Sequence, residues 1–301
     1  LMGGDPSLAD DLVAAAESNG VMPIASIGGA DSAVAFRQAT ASGVIDAFVA
    51  NLVALLDDVG YGGIDIDWEP METADEPVVV DLANRIRAAR AAATLTIPVG
   101  YLNVNLSKDL SGYAALAAAY DQMNLMSYAM AGAWSGWRSW HSSPLYHQSG
   151  ATPTSISSTV DLYEAAGVPL AKLGVGIGFY GLCYSPPVTG PDQPLDGATI
   201  LAGDSVMSYA NIMEHYHDAS ARHWDSLARV PYLSFSSAHP PDGCGYISYD
   251  DEQSIQDKAA YVKSRGLGGV IVWEINEGYI GSAPAADRSP LLIAIRDHVL
   301  N

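Results

Sequence analysis

Short apolar runs alternate with amphipathic stretches along most of the chain. Six runs rich in Val, Ile, Leu and Met read as buried strands: residues 21–29, 63–69, 95–101, 123–128, 173–180 and 268–274. Apolar positions elsewhere recur at helical spacing. They predict helices over 7–18, 48–59, 75–92, 107–118, 160–166, 251–265 and 289–300. Pro77 and Pro290 fall near the starts of their runs, where a missing N–H costs nothing. Strands alternating with helices imply a parallel sheet joined by crossovers. The alternation stretches between Tyr180 and Gly268. There a helix over 205–217 and a strand over 231–235 stand among Pro, Gly, Tyr and Ser. Residues 182–250 are therefore expected to form a small α+β insertion, packed within one domain spanning 1–301. No repeat of solenoid period appears.

The second strand carries unusual chemistry. It reads Tyr61-Gly-Gly-Ile-Asp65-Ile-Asp67-Trp-Glu69-Pro70. Alternate residues of a strand share a face. Asp65, Asp67 and Glu69 thus point one way, and Ile64, Ile66 and Trp68 the other. Three carboxyls on one face, with no Lys or Arg in the segment, are costly to bury as anions. Mutual repulsion raises the proton affinity of at least one of them, as a general acid working near neutrality requires. An acidic edge strand or a metal loop is the plainer alternative. An edge strand does not need such a clean apolar face, and a calcium loop needs its own turn glycine and ligand spacing.

Composition narrows the partners. The chain has 301 residues, enough for one large α/β domain, and 49% hydrophobic residues, which argues against extended disorder. A net charge of −20 repels phosphate backbones, so nucleic acid is excluded as a partner. No apolar run reaches the ~18 residues of a membrane helix. The first residues show no basic segment followed by an apolar run, so an export signal is absent or already removed. The two cysteines, Cys183 and Cys244, sit in loop-like sequence without metal-ligand spacing. They are expected to pair across the insertion, which would mark an exported, extracellular protein; two unrelated free thiols are the alternative. None of the seven His shows nucleophile-triad or metal spacing. Trp134, Trp137 and Trp140 recur every third position. Indole faces stack on sugars, and Trp134 is expected to contact one. For the other two, packing of their own loop is an equal alternative.

The acidic strand resembles the signature Asp-Gly-x-Asp-x-Asp-x-Glu of glycoside hydrolase family 18, the chitinase family. The three inner acids match, and Gly62 stands at the leading Asp. Ser26-Ile-Gly-Gly29 is similar to the family's Ser-x-Gly-Gly, and Met126-Ser-Tyr128 to its Met-x-Tyr-Asp. Ser248-Tyr-Asp-Asp251, Ser254-Ile-x-x-Lys258 and the run from Gly268 to Trp273 resemble its last-strand passage. The resemblance implies a TIM-type (β/α) barrel and hydrolysis of β-1,4-linked N-acetylglucosamine, with chitin or its oligosaccharides as the partner. The two-carboxylate scheme of most glycosidases gives way in this family to attack by the substrate's own N-acetyl oxygen. Glu69 is then the acid, Asp67 the stabiliser of the N-acetyl group, Asp65 its tuner and Tyr128 a donor to the N-acetyl oxygen. Trp273, Met126, Trp134, Ser26 and Tyr180 are expected to bind substrate. No metal or organic cofactor is implied.

Two departures stand out. The family's Asp after the tyrosine is Ala129, which implies weakened hydrolysis or a shift toward transglycosylation. The strand of Ser26 corresponds to the family's third, so the barrel is expected to lack its first two strands. Open edges then invite self-association, unless the N-terminal segment covers them. A binding protein that has lost catalysis, or an endo-β-N-acetylglucosaminidase acting on glycans, remains as an alternative; Glu69 favours an enzyme.

Overall fold

A computed structural model describes residues 7–300; the leading residues read above for an export signal lie outside them. The expected strands form as β1 (Ile24–Gly29), β2 (Gly63–Trp68), β3 (Thr94–Gly100), β4 (Gln122–Met126) and β5 (Leu173–Gly178). The insertion then supplies β6 (Leu182–Tyr184), β7 (Ile200–Ala202), β8 (Arg222–Asp225), β9 (Val230–His239) and β10 (Cys244–Ser248), and β11 (Gly269–Trp273) follows. Two sheets result, with orders β1-β2-β3-β4-β5-β11 and β7-β6-β10-β9-β8. The first is the helix-connected sheet of a TIM-type (β/α) fold, carrying six strands where a full barrel has about eight. Strands β1 and β11 end its order, as expected from the strand count. The second is antiparallel and lies between β5 and β11 in the chain, so the insertion is confirmed with more strand than its turn-rich sequence suggested.

The chain forms two compact units. The first comprises Leu1–Val99, Asp109–Asn124 and Ala166–Lys172. Its helices are α1 (Ser7–Ser18), α2 (Ala33–Ala39), α3 (Ile45–Val59), α4 (Glu76–Ala89) and α5 (Tyr113–Ala119). In α3 the buried side chains are Ile45, Val49, Leu52 and Leu56, one stripe of a helix, and Gly60 ends it in the left-handed region at φ 92°. Complete burial of Leu56 contributes ~2 kcal/mol. Helix α2 was not expected from the sequence. It is seven residues long and buries Ala33 and Phe36, too little apolar repeat to be read as a helix. Phe36 stacks on Trp68 with ring centroids 4.8 Å apart and planes 9° apart, which fixes the apolar face of β2.

The second unit comprises Gly100–Lys108, Leu125–Ala165 and Leu173–Asn301. It contains α6 (Ile156–Ala165), α7 (Tyr209–His215), α8 (Glu252–Arg265) and α9 (Pro290–Ile295). Asp251 caps α8 by accepting from the Ser254 N–H, and the Ser254 side chain accepts from the Asp251 N–H in return. One turn further, Lys258 is fully buried and donates to Asp250 at 2.5 Å and to Ser143 at 2.6 Å. A buried ammonium is tolerated because it is paired and hydrogen-bonded; cutting either partner strands a charge.

Cys183 and Cys244 are bonded to each other, with Cα atoms 5.4 Å apart. They sit on β6 and β10, neighbouring antiparallel strands, rather than in loops. Those strands are short and flanked by Pro and Gly, which disguised them. The bond closes a loop of 61 residues, worth ~4 kcal/mol in the chain-entropy account. Replacing both cysteines by serine is expected to remove a stabilisation of about that size, read from urea unfolding midpoints. A loss under ~1 kcal/mol would mean that the insertion sheet holds itself together without the bond.

Candidate active site

The register of the first unit places the acidic face. Ser26 of β1 and Thr96 of β3 are the Cα partners of Asp65 on either side. Ser26 Oγ donates to Asp65 Oδ2 at 3.2 Å, and Thr96 Oγ1 donates to Asp65 Oδ1 at 2.5 Å. Both carboxylate oxygens of Asp65 are thereby held. Burial raises its proton affinity, and the two hydroxyls offset only part of that rise. Thr96 was not singled out from the sequence. Its signal is the register itself, since a residue opposite Asp65 on a neighbouring parallel strand shares its face.

Asp67 follows on the same face and is 9% exposed. Burial, then the charges of Glu69 and Asp65, push its carboxyl up to about 7. Its hydrogen bond to Glu69 acts in the same direction. Its Oδ1 is buried without a hydrogen-bond partner. Glu69 is half-buried and lies just past the end of β2. Burial raises its proton affinity first; the hydrogen bond from Asp67 opposes that, and the charge of Asp31 adds to it. The pair therefore titrates together.

The loop after β1 locks the backbone beneath these acids. Ser32 Oγ donates to the Asp67 carbonyl at 3.0 Å and accepts from the Glu69 N–H at 3.1 Å. The Ala33 N–H donates to the Glu69 carbonyl at 2.9 Å. Ser32 is a second residue that sequence reasoning missed, because nothing in its type or spacing marks it. Gly28 lets this loop approach: it sits at φ 117°, and a Cβ there would lie 2.0 Å from the Asp67 carbonyl oxygen. Gly62, standing at the family's leading Asp, has its own reason. A Cβ there would lie 2.5 Å from Met22 Cγ, so a carboxylate side chain would have to displace that methionine.

The second unit holds the other expected residues. Tyr128 lies two residues beyond β4, and its ring meets that of Tyr180 at 6.0 Å. Tyr180 is buried, and burial pushes its hydroxyl well above the usual tyrosine range. Met126 closes β4 and is partly exposed. Trp273 ends β11, is 44% exposed and donates from Nε1 to Asp204 Oδ1 at 3.2 Å. Trp134 is 45% exposed and meets Trp137 edge-on at 4.7 Å. These two line an open cleft of about 480 Å³ with Arg138, Leu195 and Asp196. Trp140 is buried and donates from Nε1 to the Thr154 carbonyl at 2.9 Å, so it packs its loop. Ala129 sits in the left-handed region at φ 49°. Among the described residues no three His, Cys, Asp or Glu side chains converge closely enough to hold a metal ion. His141 is buried between Asp225 and Tyr246, which reads as structural.

Known proteins share this arrangement of sequence. The chain is 30% identical over 266 residues to chitinase A1 of Niallia circulans, covering 77% of this chain and 37% of that protein. It is 29% identical over 253 residues to a probable endochitinase of Caenorhabditis elegans, covering 76% of this chain and 39% of that one. It thus spans under two-fifths of the length of these relatives. The crystal structure of a chitinase from Rhizomucor miehei superposes with a TM-score of 0.80 at 25% identity, covering 98% of this chain and 89% of that one. The profile of glycosyl hydrolases family 18 matches residues 8–278. With the acids, Ser26, Tyr128 and Trp273 all inside the matched span, the chain belongs to glycoside hydrolase family 18.

Proposed function

We propose that this chain hydrolyses β-1,4-linked N-acetylglucosamine polymers or oligomers with retention, using the substrate's N-acetyl group as nucleophile. The observation that carries the reading is Asp67. It has one carboxyl oxygen buried and unpartnered among the described residues, and it holds a proton up to about 7 in company with Glu69. An unpartnered buried acceptor wants a donor, and the N–H of an N-acetyl group is one. When the substrate N–H binds Asp67, the proton the pair shares passes to Glu69, which gives it to the glycosidic oxygen as the bond to the anomeric carbon breaks. The N-acetyl oxygen forms the new bond to that carbon, and the resulting oxazolinium-like cation is stabilised by ionised Asp67. Water then attacks the anomeric carbon as its bond to the N-acetyl oxygen breaks, which returns the N-acetyl group, and the Glu69 carboxylate takes a proton from that water. Asp65, held by Ser26 and Thr96, fixes the charge behind Asp67.

Tyr128 is assigned to the N-acetyl oxygen and Trp273 to the floor of the sugar site, by their place in the family pattern. Trp134 supplies a further sugar platform, supported by its exposure beside an open cleft. Met126, Tyr180 and Ser26 complete the substrate-binding set. The disulfide supports an extracellular setting, and no helix among the described residues is long and apolar enough to cross a membrane. Turnover of a chromogenic chitotrioside tests the activity. Saturable binding with no turnover at any pH would instead favour a chitin-binding protein.

Ala129 bears on the rate. At φ 49° an alanine is less at ease than an aspartate, whose side chain bonds its own backbone there. In the family pattern the carboxylate at this position steadies the N-acetyl group. Ala129→Asp is therefore expected to raise chitotrioside turnover by up to ~10²-fold, the cost typical of a reacting group misplaced by ~1 Å. A variant no faster than its parent at any pH would mean that the chain has adapted to alanine.

A further inference from the structure

We propose that Lys258, acting through Ser143, is a positioning residue for Tyr128: it fixes the peptide before that tyrosine, and so the direction in which the tyrosine hydroxyl is offered to the N-acetyl oxygen. The proposal deepens the chitin-hydrolase reading and rests on it for the role of Tyr128.

The connection lies wholly within the second unit. Lys258 of α8 is fully buried, and its ammonium has three donors. Asp250 takes two of them, at 2.5 Å to Oδ1 and 2.6 Å to Oδ2, and Ser143 Oγ takes the third at 2.6 Å. Asp250 Oδ1 also accepts from Ser254 Oγ at 2.7 Å, which ties the ammonium to the capped start of α8. Ser143 Oγ in turn donates to the Ser127 carbonyl at 2.5 Å. An ammonium has no lone pair, so Ser143 can only accept from it. The one hydroxyl proton of Ser143 is thereby left for Ser127, and the charge behind it strengthens that bond. The carbonyl it meets belongs to the peptide that joins Ser127 to Tyr128.

Both neighbours of Tyr128 are gripped in the same way. Ser127 Oγ donates to the Gly176 carbonyl at 2.8 Å and accepts from the Gly176 N–H at 2.9 Å. The Ala129 N–H donates to Ser142 Oγ at 3.2 Å, and the Ser142 N–H to Ser248 Oγ at 2.9 Å. Ala129 holds φ 49°, which is unfavourable for alanine and persists only where the surroundings determine it. The bend that aims Tyr128 is therefore imposed from outside. Two charges sealed from solvent are a costly way to pack a helix against a loop, and apolar residues of similar volume do that as well or better. What the Lys258–Asp250 pair supplies, and an apolar contact does not, is one directed bond on one peptide. That peptide stands next to the residue assigned to the reacting oxygen.

Two variants test the connection. Ser143→Ala removes the hydroxyl and leaves Lys258 paired with Asp250. Lys258→Met combined with Asp250→Asn removes both charges at once, so that neither is stranded. Fluorine NMR of the full chain, with a fluorotyrosine in place of Tyr128, reads the ring directly. Its resonance is expected to shift or broaden in both variants. With chitotrioside, kcat is expected to fall about tenfold or more while KM changes by less than about threefold, because orientation acts at the reacting step. In a Tyr128→Phe background the same substitutions should cost no further rate, since a hydroxyl that is gone cannot be misplaced. An unmoved resonance or an unchanged kcat in both variants overturns the proposal, and so does a loss of kcat that is just as large in the Tyr128→Phe background. If the resonance responds as expected but the unmodified chain turns over no chitotrioside, the hydrolase reading fails and the hold on Tyr128 stands.

Discussion

Glu69→Gln is expected to lower chitotrioside turnover by ~10²–10⁴-fold while oligosaccharide binding stays largely intact. The amide keeps the length and shape of the side chain. It can still accept the hydrogen bond that Asp67 now directs at Glu69. It cannot give a proton to the glycosidic oxygen. Binding should survive because Ser32 holds this stretch through the main chain, by the Glu69 N–H and the Asp67 carbonyl, and neither bond involves the exchanged group. Initial rates and calorimetric binding with the same trisaccharide separate the two effects. A variant that keeps more than about a tenth of the parent rate would remove Glu69 from the role of acid. A variant that loses binding and turnover together would point to misfolding around β2, which circular dichroism and the unfolding midpoint would reveal.

The six strands of the first sheet were legible because each is a compact apolar run bounded by glycine or polar residues. Buried parallel strands present that pattern in its plainest form. The acids were legible for a related reason. Asp65, Asp67 and Glu69 interrupt such a run at every second position, and only the period of a strand turns that spacing into one face. What the chain did not disclose lies mostly in the partners of those residues. Thr96 and Ser32 are common residues in ordinary positions, and their roles depend on which strand neighbours which and how a loop folds back. The hydrogen bond from Ser26 to Asp65 likewise follows from the β1–β2 register and not from residue type.

The insertion was harder to read for physical reasons. Its strands β6 and β7 are three residues each, too short for any period to declare itself. Pro186, Pro187, Pro240 and Pro241 flank the cysteine strands and lend them the look of loops. The Trp134, Trp137 and Trp140 spacing gave no way to rank its members. Burial separates them: Trp140 fills a core with Tyr184 and Tyr246, and Trp134 is left to face outward.

Asp67→Asn is expected to slow turnover by ~10²–10³-fold, the usual cost of removing one preorganised electrostatic group, and to move the alkaline limb of the pH profile toward acid. Asparagine has the shape of aspartate but carries no charge, so the cation formed at the anomeric carbon loses its stabiliser. The shift of the limb follows from who holds the proton. In the parent chain, burial and the charges of Glu69 and Asp65 keep a proton on the Asp67–Glu69 pair up to about 7. In the variant that proton can sit only on Glu69, and the amide still donates to it, as Asp67 does now in holding its proton affinity down. Activity should then fall off at lower pH than in the parent. Stability offers a reading independent of catalysis. Asp67 is raised from 3.8 in the folded state, so the folded chain binds more protons than the unfolded one between 3.8 and about 7. Parent stability therefore drops as pH climbs through that window, and asparagine removes this contribution. The variant's melting temperature should gain on the parent's as pH is raised from about 4 to about 8. If the limb and the melting difference both stay where they are, the proton belongs to Glu69 alone and Asp67 is already ionised in the free protein.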